Sequence, residues 1–320
     1  MARATTQKYF WIFVAGLAVL GILVKDNYLL HVLILCFIWC IVVTGWDLVM
    51  GYAGLLNFAQ LVFFAVGAYA SAMLSIHLGI TPILALMMSA AIAGGVGWLI
   101  GLPCLRLRGE YVALFTFAVH LALPELIHQG RPLGTGGSTG LLGLPPVKLG
   151  EYTLHSIDKV PWYYLTLVLA AVSVYVVYFV VLRRKWGRAF VALRDSETFA
   201  KSLGVNDYRY KLVVFTVSAI ITGLAGAIYA HYVGVVTPKI LGNEFFLMVM
   251  VMLSVGGLGR FPGAVLGAFL ITIGNELLRS AGQYRLLLLG LAVVMTILFL
   301  PNGLVQLRER FRAPNRNRPT

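Results

Sequence analysis

The sequence predicts an all-α protein that crosses a membrane about ten times. Three observations carry this: an apolar majority, very few charges, and apolar runs of bilayer length. Of 320 residues, 60% are hydrophobic and 12% charged, against about 25% charged in a soluble domain. So few charges cannot give that much apolar side chain a water-compatible surface. An ordinary cytosolic enzyme and a disordered chain are excluded. So is a disulfide-built secreted scaffold, since the chain has three cysteines. Cys36 and Cys40 share one helix face, and with Cys104 they read as small packing residues.

A helix needs about 20 mostly apolar residues to cross roughly 30 Å of hydrocarbon. The first run, 9–24, follows Arg3 and Lys8. It is long for a signal peptide and has no clear small-residue cleavage site, so it reads as a retained anchor helix. The second, 28–50, runs on into glycine-rich sequence, and the eighth, 244–258, is short. Both are expected to be tilted, broken or re-entrant, which a bilayer tolerates only where protein or water satisfies the freed backbone. Runs 59–78, 82–102, 110–128, 162–182, 212–232, 261–279 and 284–300 complete the set.

Orientation follows from charge. With the N-terminus inside, 18 of the 25 Lys and Arg fall in inner segments and 7 in outer ones, as the positive-inside rule requires. Both termini are therefore expected in the cytoplasm. The net charge of +13 then reflects topology and anionic headgroups, with no nucleic-acid partner. The chain reads as one transmembrane domain over 1–320. Its long connections are a Gly- and Pro-rich periplasmic loop (129–161), a basic cytoplasmic loop (183–211) and a basic cytoplasmic tail (301–320). None is long enough to bury a core of its own.

The inner loop has helical character. Ala189, Leu193, Ala200 and Leu203 recur at helix-like spacings while Arg194, Glu197 and Lys201 project elsewhere. Asp195 and Ser196 suit a helix start, and Gly204 suits its stop. Such an amphipathic element either rests on anionic lipid through Arg183, Arg184 and Lys185 or fits a groove on a cytoplasmic partner.

Helices pack closely in lipid through small residues. Gly94, Gly95, Gly97 and Gly101 crowd the fourth run. Gly257 and Gly263 flank the start of the ninth, which Gly267 and Gly274 continue. Pro82 and Pro262 precede the two glycine-rich helices, which suggests a two-half pseudo-repeat. Ionisable residues within runs are functional candidates by default: Asp47, Glu125, Glu244 and Glu276, with His31, His120 and His231 less deep. Asp47 is placed near the cytoplasmic boundary, and Glu244 at a helix N-terminus where the dipole favours an acid. No metal-ligand spacing occurs among the six histidines. No Gly-Lys-Ser/Thr occurs either, so the chain has no phosphate-cradling loop and is not an ATPase.

A family resemblance rests on several motifs in one order. Gly51-Tyr52-Ala53-Gly54-Leu55-Leu56-Asn57-Phe58 and Gly67-Ala68-Tyr69 lie early in the chain. Leu105-Arg106-Leu107-Arg108-Gly109-Glu110-Tyr111 and Thr135-Gly136-Gly137-Ser138-Thr139-Gly140 follow. Gly187-Arg188-Ala189 leads through Arg194-Asp195-Ser196-Glu197 and Ala200 to Gly204-Val205, with Ala225-Gly226-Ala227 and Gly256-Gly257-Leu258-Gly259 after it. Over roughly 45–300 the chain resembles the branched-chain amino-acid permeases of ABC importers, particularly their M-type subunit. The family's usual Ser is replaced by Asn57, and His120 and Pro124 are unusual neighbours in the fifth run.

The resemblance implies a permease of the bacterial inner membrane, without cofactor of its own, since ATP and Mg belong to partner subunits. Those partners would be two cytoplasmic ATPases, a homologous H-type permease, a periplasmic amino-acid-binding protein and the lipid bilayer. It implies that Gly187, Arg188, Arg194, Asp195, Glu197, Ala200 and Gly204 form the coupling element, so that a bulky charge at Ala200 would uncouple the motor. It also implies a small zwitterionic substrate with an aliphatic side chain, on a path offering weak contacts from Tyr52, Asn57, Gln60, Ser254 or Glu244. A urea or amide permease of the same family would look alike. An ion-coupled carrier would instead use Asp47 or Glu276 and need no docking loop.

Overall fold

The computed structural model describes residues 2–295 except 105, 108, 150–151, 155–157, 283, 285–286, 289 and 292–293. The expected tail 301–320 and most of the tenth run lie outside the described residues. Helix α1 (Ala2–Leu23) is followed by α2 (Asn27–Asp47), which the Asp26 carboxylate caps by accepting from the Tyr28 amide at 2.8 Å. α2 is apolar on every side and forms the centre of the molecule, as an all-round apolar helix must. It ends in a π-turn, Leu48–Tyr52, before a non-helical stretch leads to α3 (Gln60–His77). The expected break at the end of the second run is therefore present.

α4 (Pro82–Cys104) and α5 (Glu110–Gln129) come next, then α6 (Lys159–Tyr175), which also closes in a π-turn, Val176–Val181. Two short helices, α7 (Lys185–Asp195) and α8 (Glu197–Ser202), precede α9 (Asp207–Val233), whose N-terminus is capped by Asn206. α10 (Asn243–Gly256) and α11 (Gly263–Leu277) form a hairpin. α9 packs mainly on α3 and α4, while α2 packs on α6, α9 and α11.

Six helical segments are long and apolar enough to cross a membrane, and three shorter apolar helices accompany them. Ten full spans are thus not what the described residues show. The 14 residues of α10 rise only about 21 Å at 1.5 Å each, short of about 30 Å of hydrocarbon. The outer loop also departs from an all-helical reading. β1 (Leu141–Leu142) pairs antiparallel with β4 (Val235–Val236), and β2 (Val147–Leu149) with β3 (Tyr152–Leu154). Gly140, at φ +73°, lies where any Cβ would overlap the Val236 carbonyl, which explains one of that loop's glycines.

Contacts sort the connections into two sets. In one, Arg183 Nη1 donates to Gln7 Oε1 at 3.3 Å, Arg194 Nη1 to the Gly51 carbonyl at 2.9 Å, and the Gly259 amide to Asp47 Oδ1 at 2.7 Å. In the other, Leu141 pairs with Val236, His77 Nε2 meets the Gly134 carbonyl at 3.1 Å, and Tyr28 donates to Glu276 at 3.1 Å. These are the same two sets that the count of basic residues separates.

Candidate functional site

The basic loop folds into a compact two-helix element held under the bundle. Gly187 makes its first turn possible, because a Cβ there would overlap the Leu182 backbone. α7 buries Ala189, Phe190 and Leu193 and leaves Arg188 and Asp195 outward. Ser196 caps α8 by accepting from the Phe199 amide at 3.3 Å. At the other end Gly204, at φ +83°, donates to the Lys201 carbonyl and Val205 to that of Ala200, the paired bonds of a Schellman stop. An ion cluster pins α8 to α9. Glu197 pairs with Lys201 and Lys211, both at 2.7 Å, and Lys201 with Asp207 at 2.9 Å. The hydrogen bonds from Lys201 and then Lys211 hold the Glu197 carboxyl down at about 2.

One expectation is corrected here. Ala200 is fully buried, whereas Leu203, expected on the same face, is 67% exposed and Phe199 is 64% exposed. α8 is a single six-residue helix, so a small residue can face the bundle while its larger neighbours face away. A bulky charge at Ala200 would break the packing of α8 itself and cannot report on a partner. Phe199 and Leu203 are the apolar surface that α8 offers, and Trp186 of α7 is exposed as well.

Above α7 lies a latch of three segments. The Arg194 stem rests against Gly54, and its guanidinium reaches the Gly51 carbonyl while also meeting Asp195 at 3.0 Å. Gly51 in turn sits so close to Asp47 and to the Gly259 amide that no Cβ fits. Asp47, fully buried, accepts from the Gly259 amide through Oδ1 and from the Tyr178 hydroxyl through Oδ2 at 2.8 Å. The Tyr52 hydroxyl accepts from the Phe261 amide at 3.2 Å. The buried carboxylate thus joins the end of α2, the π-turn after α6 and the α10–α11 turn. The sequence marked Gly51-Tyr52 and Gly257-Leu258-Gly259 only as separate glycine signals, and Tyr178 carried no signal.

The residues expected along a substrate path fare differently. Gln60 and Asn57 are fully buried, and their groups are taken up within the bundle. Gln60 Nε2 donates to Ser218 Oγ at 3.0 Å and to Thr222 Oγ1, and Ser218 also donates to the Gly45 carbonyl at 2.7 Å. Asn57 Oδ1 accepts from the Ala59 amide at 2.9 Å, and the Asn57 carbonyl accepts from Trp46 Nε1 at 2.6 Å. This network ties α2, α3 and α9 and leaves neither amide facing an opening. Tyr52 belongs to the latch, Ser254 is half-buried, and Glu244 is exposed in the first turn of α10, as the dipole reading expected. Beside them a cluster that was not foreseen assembles. Phe58, Phe117 and Phe246 pack together with buried His120, whose Nδ1 has no partner.

The packing glycines separate by position. Gly94 and Gly97 face Ile220 and Ala219 of α9, and Gly263 and Gly267 approach the backbone of α10. Gly257, at φ +99°, instead terminates α10. Its carbonyl also lies against Gly263, so the residue stops α10 and takes part in the α10–α11 contact. Gly95 and Gly274 face open space. The tightest crossing was missed: a Cβ on Gly67 would overlap the Gly223 carbonyl, and one on Gly226 the Phe64 carbonyl. Among the described residues no group of three His, Cys, Asp or Glu could hold a metal.

Residues 28–300 match the family described as the permease component of branched-chain amino acid transport systems. The chain is 30% identical over 319 residues to the high-affinity branched-chain amino acid permease protein LivM of Escherichia coli K12, covering 93% of this chain and 75% of the relative. It is 24% identical over 287 residues to LivH of the same strain, covering 83% and 91%. It is 27% identical over 184 residues to the autoinducer 2 import permease LsrC of Yersinia pestis, covering 54% and 50%. No solved structure matches.

Proposed function

The chain belongs to the branched-chain amino acid permease family of ABC importers, and on that premise we propose that it passes branched-chain aliphatic amino acids inward through a path shared with a homologous H-type permease. A periplasmic binding protein delivers the substrate and two cytoplasmic ATPases supply the motion, with ATP and Mg held on those subunits. The protein sits in a bacterial inner membrane with the basic set of connections, and hence both termini, in the cytoplasm.

The observation that carries this reading is the α7–α8 element bonded to the broken end of α2. Arg194 donates into the Gly51 carbonyl, four residues on from Asp47, the buried carboxylate that holds the α10–α11 turn. ATP-driven closure of the motor pair displaces α8 through Phe199 and Leu203. α7 follows because Phe190 and Leu193 are buried beneath it, and the end of α2 follows α7. Packed helices have discrete arrangements, so a shift of this kind switches access between the two membrane faces. Latch and lever take no part in recognising substrate; the aliphatic side chain meets apolar and aromatic lining, and the binding protein supplies affinity.

Uptake into proteoliposomes holding all subunits tests the reading. Leucine, isoleucine or valine should accumulate only with ATP on the ATPase side and with binding protein on the other. Accumulation driven by an ion gradient with the ATPases omitted would refute it.

A further inference from the structure

Four helices, α1, α2, α6 and α11, leave a cleft of about 210 Å³ between them, lined by Phe10, Leu17, Cys40, Ala170, Val174 and Val265 among other apolar groups. It exists because α1 touches the bundle sparsely: Phe10 is its one buried hydrophobic residue among those described, while Trp11, Ile12 and Phe13 stay exposed. From Tyr9 to Leu17 the cleft follows α1 over eight helical rises, about 12 Å at 1.5 Å each. That is close to one leaflet, half of roughly 30 Å of hydrocarbon.

One end of the cleft is aromatic and cationic. Phe261 lines it, Phe179 packs on both Phe261 and Phe10 with centroids 5.4 Å apart, and the Arg183 guanidinium lies 4.5 Å over the Phe179 ring. Arg183 also donates to Gln7, next to exposed Lys8 and to Tyr9 at the cleft mouth. Arg260 directly precedes Phe261. These cations sit at the end of the helices that belongs to the basic set of connections, where a leaflet is rich in anionic headgroups. The far end, towards Leu17 and Phe269, carries no charge.

We infer that this cleft is a binding site for one anionic phospholipid, one of its acyl chains between α1 and α11 and its phosphate beside Arg183 and Lys8. Charge at one end only, apolar lining along the rest and a length near one leaflet together match that ligand class. The site adjoins the latch, since Phe261 both lines the cleft and donates its amide to Tyr52. Its occupant therefore bears on the α10–α11 turn.

The test uses the complete permease complex, purified in mild detergent and incubated with phosphatidylglycerol or phosphatidylcholine of identical chains, with bound lipid counted by native mass spectrometry. The wild type should retain phosphatidylglycerol in preference to phosphatidylcholine. Arg183→Gln with Lys8→Gln should lower that preference by about fivefold for each cation removed. Ala170→Trp fills the cleft and should abolish retention of both lipids, and the double charge variant covers the case where that tryptophan prevents folding. A photoreactive benzophenone side chain placed at Phe13 should label lipid. Equal retention of the two lipids by the wild type, unchanged preference in the charge variant, or labelling of a second polypeptide would each overturn the proposal.

Discussion

If Phe199 and Leu203 are the surface that meets the ATPase, they and Ala200 must respond in opposite ways to substitution. Phe199 is 64% and Leu203 67% exposed, while Ala200 is fully buried. Burying a whole Phe or Leu side chain stabilises by about 1.5–3 kcal/mol. With roughly two-thirds of each side chain still available, docking should gain about 1–2 kcal/mol apiece. Phe199→Ala or Leu203→Ala should therefore weaken ATPase association by roughly 5- to 30-fold at 1.4 kcal/mol per decade. The permease's own stability should change little, since only about a third of each side chain packs within it. Ala200→Glu should do the reverse and lower the permease's own thermal stability, because it forces an unpaired charge into a closed site. The assay pairs a thermal unfolding trace of the permease with a titration of purified ATPase onto permease in nanodiscs. Full-strength binding by a Phe199→Ala, Leu203→Ala double variant would refute the assignment of that face.

Three further outcomes follow. Arg194→Gln removes a charged donor from the Gly51 carbonyl; with the Arg side chain 37% exposed, the low end of the usual range for charged hydrogen bonds applies, about 1.5 kcal/mol. Transported substrate per ATP hydrolysed should fall several-fold while the complex still assembles, and an unchanged ratio would contradict the linkage. Gly67→Ala should cost about 1–3 kcal/mol by overpacking the α3–α9 crossing, whereas Gly95→Ala, facing open space, should be neutral or slightly stabilising; melting temperatures in detergent separate the two. Glu197 has its folded carboxyl value depressed to about 2 from 4.5, so its stabilisation is complete above the unfolded value and lost as pH falls from 4.5 towards 2. The protection of α8 amides, taken relative to their intrinsic exchange rate, should fall across that window in the wild type, and in Glu197→Gln it should show no such step.

What could be read from the sequence was whatever depends on neighbours along the chain. The long helices were legible because twenty apolar residues have one structural solution in a bilayer, and the break after Asp47 because glycines interrupt an apolar run there. The Ser196 start and Gly204 stop were equally local. Ala200 and Leu203 were read onto one face because a six-residue helix offers too few positions to fix its rotation. The β1–β4 pair escaped because Leu-Leu and Val-Val, nearly a hundred residues apart, carry no alternation to detect. The latch escaped for the same reason. Asp47 meets Tyr178 at a separation of 131 residues and Gly259 at 212, and no spacing rule spans that distance. Gln60 was misjudged in the other direction: a polar residue in an apolar run invites a functional reading, and only its partners Ser218 and Thr222 show that it is consumed in holding helices together.

The arrangement of the latch constrains how any movement of α7 can reach the membrane interior. Asp47 is buried with both oxygens occupied, one by the Gly259 amide and one by the Tyr178 hydroxyl. Breaking either bond leaves a buried carboxylate short of a donor, which costs well over a typical hydrogen bond. The π-turn, the α6 end and the α10–α11 turn are therefore held to move as one body, with Gly51 packed too closely on Gly259 to allow sliding. Compliance must lie on either side of that body. On one side is the non-helical stretch between Tyr52 and Gln60; on the other is α10, which is too short to cross and begins beside Phe58, Phe117 and His120. On the proposed function, a push delivered at Arg194 would be passed rigidly through Asp47 and released at the aromatic cluster. Asp47→Asn keeps an acceptor for Gly259 but gives up the charge, so it should leave folding intact while loosening this transfer. Helix-to-helix distances measured by paired spin labels on α7 and α10 should then lose their correlated change between ATP-bound and ATP-free complexes. A fully correlated change in that variant would show that the force takes another route.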